Sequence, residues 1–457
     1  MSLAANTIAW RTLVLRDSNR LSCIQTMVIF RISDTVRAFE PEIRYTLALW
    51  AINQSQQISF TSGSDDPALV RDGVFIVGSE ADAHLRIGTR MPKLGDPSTR
   101  SPYVQLDGTG SDRYDAGLTD PLASAFQMVN ALQEYEASEY DELNRYQFKT
   151  SYQKRLANVY DNLVQKCFEA ISSKLKLPLK NSPTQFFLSH DIDIVYGAIL
   201  EDGNNVLRKG RIDLFLKMLF NVAMARPDWL NMDKIMALES EYDCRSIFFW
   251  IVNKGRINER EENADYSFQS APIQRHFRAV AEQGFENGLH KSISPESFRE
   301  ELTKFGHAAY ANRYHFLKFR LPDAWHDVES AGLKLDASLG FSAEMGFRNS
   351  YGLPFNPYNF KERQAFSFVE APLHIMDRTF FQYKRQSPAE AGTTIIDFFE
   401  RNRHNCVLSV LWHNNFFTDY KFKGYLALYK DILAYISENK FRTISAREIT
   451  QHYTISP

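Results

Sequence analysis

From residue 184 onward, apolar runs of strand length alternate with helical stretches, and this alternation constrains the fold more than any other feature of the chain. Strand-like runs fall at 184–190, 245–252, 312–319, 334–337, 367–374, 406–413 and 441–445. Helical stretches, among them 271–283, 294–305, 388–402 and 421–438, lie between them. Parallel strands need crossover connections, and helices supply them. Repeated β-α units over about 275 residues therefore predict a parallel barrel. In such a barrel, side chains at the C-terminal ends of the strands meet at one mouth.

The first part of the chain reads differently. A strand is expected at 26–33, an amphipathic helix at 41–53 and a hairpin over 72–79 and 82–88. The stretch 92–118, rich in Pro, Gly, Ser and Asp, reads as loops, and helices are expected at 120–138 and 155–175. "PLKNSP" at 178–183 breaks the helical pattern. The expected division is thus a smaller N-terminal α/β domain with a helical connector, 1–180, and the barrel, 181–457. In the helix at 294–305, Ser294 reads as N-cap and Pro295 as the first helical residue. The capping-box position then holds Ser297, which leaves that motif incomplete.

Charge and cysteine usage exclude several classes. Fifty-three basic and 55 acidic side chains give a formal net charge of -2, which argues against a nucleic-acid partner and gives no sign of attraction to an anionic membrane. The cysteines, Cys23, Cys167, Cys244 and Cys406, form no CxxC pair, so neither a thiolate zinc site nor a disulfide framework is indicated. No basic segment followed by an apolar core opens the chain, and the longest apolar runs, such as Ile247 to Val252, are too short to span a bilayer. A soluble cytoplasmic protein is the expectation.

"FFLSHDIDIVYG", Phe186 to Gly197, carries the chemistry: Asp191 and Asp193 follow at i and i+2 on an apolar strand. Alone this is weak, because acids after strands commonly cap helices or turns. Three other strand ends add to it. His290 closes "ENGLH", Arg313 and His315 share one face of the strand expected at 312–319, and His413 ends "VLWH". Two aspartates and three histidines at the mouth of one barrel supply ligands for zinc or a similar divalent ion, a base and an acid.

The motifs "SHDID", "ENGLH", "RYHFLKF", "LDASLGF…GFRNSYGLPFNPY", "EAPLHIMD" and "LWHNN" resemble the polysaccharide deacetylase family, the NodB-homology carbohydrate esterases, in a branch with an extra N-terminal domain. The resemblance covers 184–457 and implies a distorted (β/α) barrel and a metal-dependent enzyme that removes N- or O-acetyl groups from sugars. It implies Asp191 as general base, Asp193 and His290 as metal ligands, Arg313 as the residue that holds the base and His413 as general acid. The family's second motif has two histidines four residues apart; here Ser294 stands at the second position. His315 is the expected replacement ligand, the competing reading being that it lines the substrate groove or packs. Asp265, Asp336, Arg348 and Trp412 are expected sugar contacts, with turn, cap or core roles as alternatives, and Glu370 and Asp377 bracket a strand with no expected role beyond a contact behind the site residues. Two rival functions stand beside the deacetylase: a glycan-binding pseudoenzyme, and an amidohydrolase acting on a non-sugar amide.

Overall fold

The structure, a computed structural model, describes residues 27–61, 74–87, 104–105, 113–114, 120–135, 137–224, 226–258, 261–418 and 420–455. The expected loop stretch 92–118 lies outside these except for Val104–Gln105 and Arg113–Tyr114, which pair antiparallel.

The N-terminal part contains a small parallel sheet in which Val28–Ile32 lies between Ile58–Thr61 and Val74–Gly78, with Leu85–Arg86 outermost. The expected hairpin over 72–88 is not formed: Val77 and Gly78 pair with Leu85 and Arg86 in parallel, because the chain loops back through 79–84 before pairing. The helix Glu40–Gln54 buries Ile43, Leu47 and Trp50, and Trp50 meets Phe30 edge-on with ring centroids 5.9 Å apart. The helix expected at 155–175 is split into Tyr152–Arg155 and Leu163–Lys174. Asn162 caps the second piece by accepting the Gln165 backbone N–H. One buried apolar cluster runs from Phe30 and Trp50 through Phe126 and Phe168 to Ile192, Trp250 and Leu335, so this part shares its core with the sheet that follows.

That sheet is parallel throughout. Its strands, in chain order, are β1 (Gln185–Ile192), β2 (Ser246–Trp250), β3 (Glu286–Lys291), β4 (Ala311–Tyr314), β5 (Leu335–Asp336), β6 (Val369–Glu370), β7 (Ile375–Met376), β8 (Val407–Leu411) and β9 (Arg442–Thr443). The pairing order is β6-β5-β4-β3-β2-β1-β8-β7, and β9 pairs with Gln185 and Phe186 of β1 on the edge that β2 occupies further along. The two ends of this path, β6 and β7, are consecutive in the chain. The link between them, 371–374, can span no more than about 18 Å, whereas eight strands laid flat would be about 34 Å across. The sheet therefore curls into an incompletely closed barrel, the distorted (β/α) architecture that was expected. Because every strand runs the same way, the ends of β1, β3, β4, β7 and β8 open on one mouth.

Two local expectations are corrected. The helix Phe298–Phe305 is capped by Ser297, not Ser294, and its capping box is complete: Ser297 Oγ accepts the Glu300 N–H while the Glu300 carboxylate accepts the Ser297 N–H at 2.7 Å. The strand at 312–319 ends at Tyr314, and His315–Leu317 forms a tight 3-10 turn in which Phe316 and Leu317 take positive φ, 60° and 53°.

Candidate active site

The site follows from the alternation of β1. Residues two apart on a strand share a face, so Ser189, Asp191 and Asp193 point one way and His190 the other. His190 is buried against the helix Met232–Glu241, with Nε2 2.8 Å from Glu239 and Nδ1 2.7 Å from the Trp412 carbonyl. Asp191 and Asp193 face a cavity of about 650 Å³ that His290, His315 and His413 also line.

Arg313 organises two of these groups. Its guanidinium donates to Asp191 Oδ1 at 3.1 Å and Ser189 Oγ at 2.8 Å, and its backbone carbonyl lies 2.9 Å from His290 Nδ1. A carbonyl only accepts, so Nδ1 carries the proton and, in the neutral ring, the bare Nε2 of His290 faces the acids. That nitrogen lies 3.2 Å from Asp193 Oδ1 and 3.4 Å from Asp191 Oδ2. His315 Nε2 lies 3.6 Å from the same Asp193 oxygen. His315 follows the extended Tyr314 (φ -77°, ψ 125°), so it stays on the same side as Arg313, and the positive-φ turn begins only after it.

Burial alone would raise the Asp193 carboxyl, but His315, His290 and His413 around it outweigh burial and hold it well below the usual carboxylate range. For His290, burial disfavours the charged ring, yet Asp191 and Asp193 prevail and raise it. For His315, burial prevails and lowers it, so this ring favours its neutral, ligating form.

Asp193, His290 and His315 each offer a ligand atom, and these atoms lie within 4.8 Å of one another. All three residues are buried, and Asp193 Oδ1 has no hydrogen-bond partner. Burying such an atom is costly unless something satisfies it. Two imidazoles and a carboxylate around an unsatisfied oxygen fit a divalent ion. Ser294 is not part of this set: its hydroxyl accepts from Asn263 Nδ2 at 2.9 Å, and it borders a different cavity.

His413 approaches from β8. Its Nε2 is 3.6 Å from Asp193 Oδ2, and its Nδ1 is 2.7 Å from Asp377 Oδ1. Arg378, the next residue, reaches within 3.7 Å of Asp193 Oδ2. Sequence reasoning offered Asp377 only a contact behind the site residues and did not single out Arg378. The available signal was their position just after the short apolar run of β7, the same logic that singled out His413. The third wall had no such signal: Tyr140, Asp141, Arg145 and Lys149, far away in the chain, line the cavity too. Arg145 pairs with Asp141 and donates to the Phe316 carbonyl at 2.9 Å, beside His315.

The four expected sugar contacts are not brought to the cavity, and each has other partners. Asp265 accepts the backbone N–H groups of Val195, Tyr196 and Gly197, ordering the loop after Asp193. Asp336 is buried, accepts from Asn312 Nδ2 at 2.7 Å and faces Glu370 across β5 and β6. Burial raises both carboxyls, and repulsion from Asp336 raises Glu370 further. Arg348 is buried in a two-bond pair with Glu134, and Trp412 packs beside Tyr425 and Tyr429. Tyr314 does line the cavity.

No protein-family profile and no curated protein matches the chain. Solved structures similar to it include a protein from Mycobacterium smegmatis assigned as a polysaccharide deacetylase, at 12% identity and TM-score 0.38 over 60% of this chain and 96% of that one. Other similar structures are a CE4 family pseudoenzyme from Bacillus anthracis, at 10% identity and TM-score 0.31 over 61% and 70% of the two chains, and the peptidoglycan deacetylase PdaC from Bacillus subtilis, at 10% identity and TM-score 0.25 over 59% and 91%.

Proposed function

We propose that this cavity is the active site of a metal-dependent hydrolase that removes acetyl groups from a carbohydrate. The observation that carries the reading is the convergence of a candidate ligand set, Asp193, His290 and His315, with two separately held proton-transfer groups: Asp191 on Arg313, and His413 on Asp377. The three ligands would hold a divalent ion, and zinc suits their donor atoms. Such an ion supplies Lewis acidity, polarising the acetyl carbonyl and making water a better nucleophile.

The chain's own groups do the rest. Arg313 fixes Asp191 through Oδ1, leaving Oδ2 to take the proton of the attacking water. His413 gives a proton to the departing nitrogen or oxygen, and the Asp377 carboxylate at Nδ1 supports the positive charge the ring carries before it does so. Tyr140, Tyr314 and Tyr383 around the cavity suit a sugar, whose ring faces pack on aromatics.

One observation favours a second reading, glycan binding without turnover: the serine in place of the second-motif histidine sits outside the cavity. Metal analysis of the purified protein, with acetate release from N-acetylglucosamine oligomers and O-acetylated sugars, tests the two. Turnover that Asp191→Asn abolishes while metal content is kept supports the hydrolase. Stoichiometric metal and oligosaccharide binding with no acetate released from any of these supports the second reading. Acetate release confined to non-sugar amides would assign the cavity to a different substrate class.

A further inference from the structure

Between β1 and β2 the chain inserts a helical hairpin, Ala198–Arg208 and Ile212–Ala223, turned at Gly210 with φ +72°. A surface helix of a globular protein carries one apolar stripe, turned inward. The second helix carries two. Met218 is buried and Leu214, Phe215 and Val222 are half-buried on the inner side. On the outer side Ile212, Leu216, Phe220 and Met224 are 62%, 58%, 65% and 55% exposed, and Leu219 and Leu207 are exposed beside them. Spacings of four residues from 212 to 224 place these side chains in one row. Single exposed leucines are ordinary; a contiguous patch of this kind marks an interaction surface.

The charges around the patch say what it fits. Arg208, Lys209, Arg211, Lys217 and Arg226 are exposed around it. Among the described side chains from 202 to 226, Asp213 is the sole exposed carboxylate, and Arg211 already pairs with it at 2.8 Å. A second copy docking through the same face would bring cations against cations. Residues 1–26 carry Arg11, Arg16 and Arg20 against Asp17, so charge opposes their covering it too. Apolar side chains projecting outward within a cationic rim match the interface of an anionic bilayer, where the apolar groups enter the acyl boundary and the cations meet headgroup phosphates. No helix among the described residues is long and apolar enough to cross a membrane, so the contact would be peripheral.

We propose that the outer face of this hairpin docks the protein onto an anionic lipid surface. The test is co-sedimentation of the full chain with phosphatidylcholine vesicles, with and without phosphatidylglycerol. Binding to the anionic vesicles is expected, weakening as salt is added. Leu216→Glu combined with Phe220→Glu should lower the partition coefficient by about tenfold or more, with thermal unfolding unchanged because both side chains are exposed. Lys217→Glu combined with Arg208→Glu should weaken binding to anionic vesicles only. Three results would each overturn the proposal: no vesicle binding; vesicle binding that the Leu216/Phe220 variant leaves intact, which would be charge adsorption alone; or a wild-type dimer, silent toward vesicles, that the same variant converts to monomer, which would assign the face to a protein partner.

Discussion

The Asp377 carboxylate holds His413 twice: one oxygen lies 2.7 Å from the ring Nδ1, and the other accepts the residue's own backbone N–H at 2.6 Å. The side chain and main chain of the candidate acid are thereby fixed to the end of β7. Asp377→Asn keeps the shape but removes the charge that supports a protonated ring. It should lower turnover of an N-acetyl sugar by about a hundredfold or more, and of an activated acetyl ester far less, because a good leaving group needs little protonation. Parallel kinetics on the two substrates check this. Equal losses on both would mean that Asp377 holds β7 and β8 together and does nothing for proton transfer.

Metal affinity should separate His315 from Ser294. His315→Ala should weaken zinc binding as deeply as His290→Ala, whereas Ser294→Ala should bind zinc like the parent, since its hydroxyl serves Asn263. Isothermal titration of zinc into the three variants decides the ligand set. A silent His315→Ala would remove the turn at His315–Leu317 from the site.

Arg348 should matter for stability and not for substrate. Its guanidinium meets Glu134 through bonds of 2.8 and 2.6 Å with both side chains buried, and its remaining nitrogen donates to the Gly340 carbonyl at 2.7 Å. Removing one partner of a buried pair typically costs about 3–5 kcal/mol. Arg348→Ala should therefore lower the unfolding midpoint sharply while KM stays as in the parent. An unchanged midpoint with a raised KM would return Arg348 to the substrate.

His374 should contribute to acid sensitivity. Burial lowers its pKa to about 3, and its Nδ1 accepts the Ser409 backbone N–H at 3.0 Å. The unfolded ring titrates near 6.5, so between these values the unfolded state binds more protons and stability falls as pH falls. The full window is worth about 5 kcal/mol. His374→Gln, which keeps an acceptor, should flatten the decline of urea-unfolding free energy between pH 6.5 and 4. An unaltered slope would place the acid sensitivity elsewhere.

How much of this was readable in advance follows the range of each interaction. The barrel and the convergence of Asp191, Asp193, His290, Arg313 and His413 were legible because parallel strand ends share a mouth, whatever the details between them. The specific contact of Asp377 with His413 was not, since it depends on β7 lying beside β8, a pairing that no local pattern encodes. Arg348 was misread as a groove residue because a charged side chain in a loop usually faces water, and its partner Glu134 is 214 residues away. His315 faces Asp193 because the extended Tyr314 keeps it on the side of Arg313, whereas the left-handed turn at Phe316 and Leu317 that ends the strand right after it had no local signal.

The wall formed by Tyr140 to Lys149 widens what would count as the catalytic unit of the proposed hydrolase. Arg145 supports the carbonyl of Phe316, the neighbour of a candidate ligand, from a segment that precedes β1 by some 40 residues. A barrel excised at residue 181 would keep every proton-transfer group and candidate ligand, yet would lose this brace and one side of the substrate's berth. Substitutions within 140–149 should then retune the selectivity of the proposed hydrolase with the strand ends left untouched.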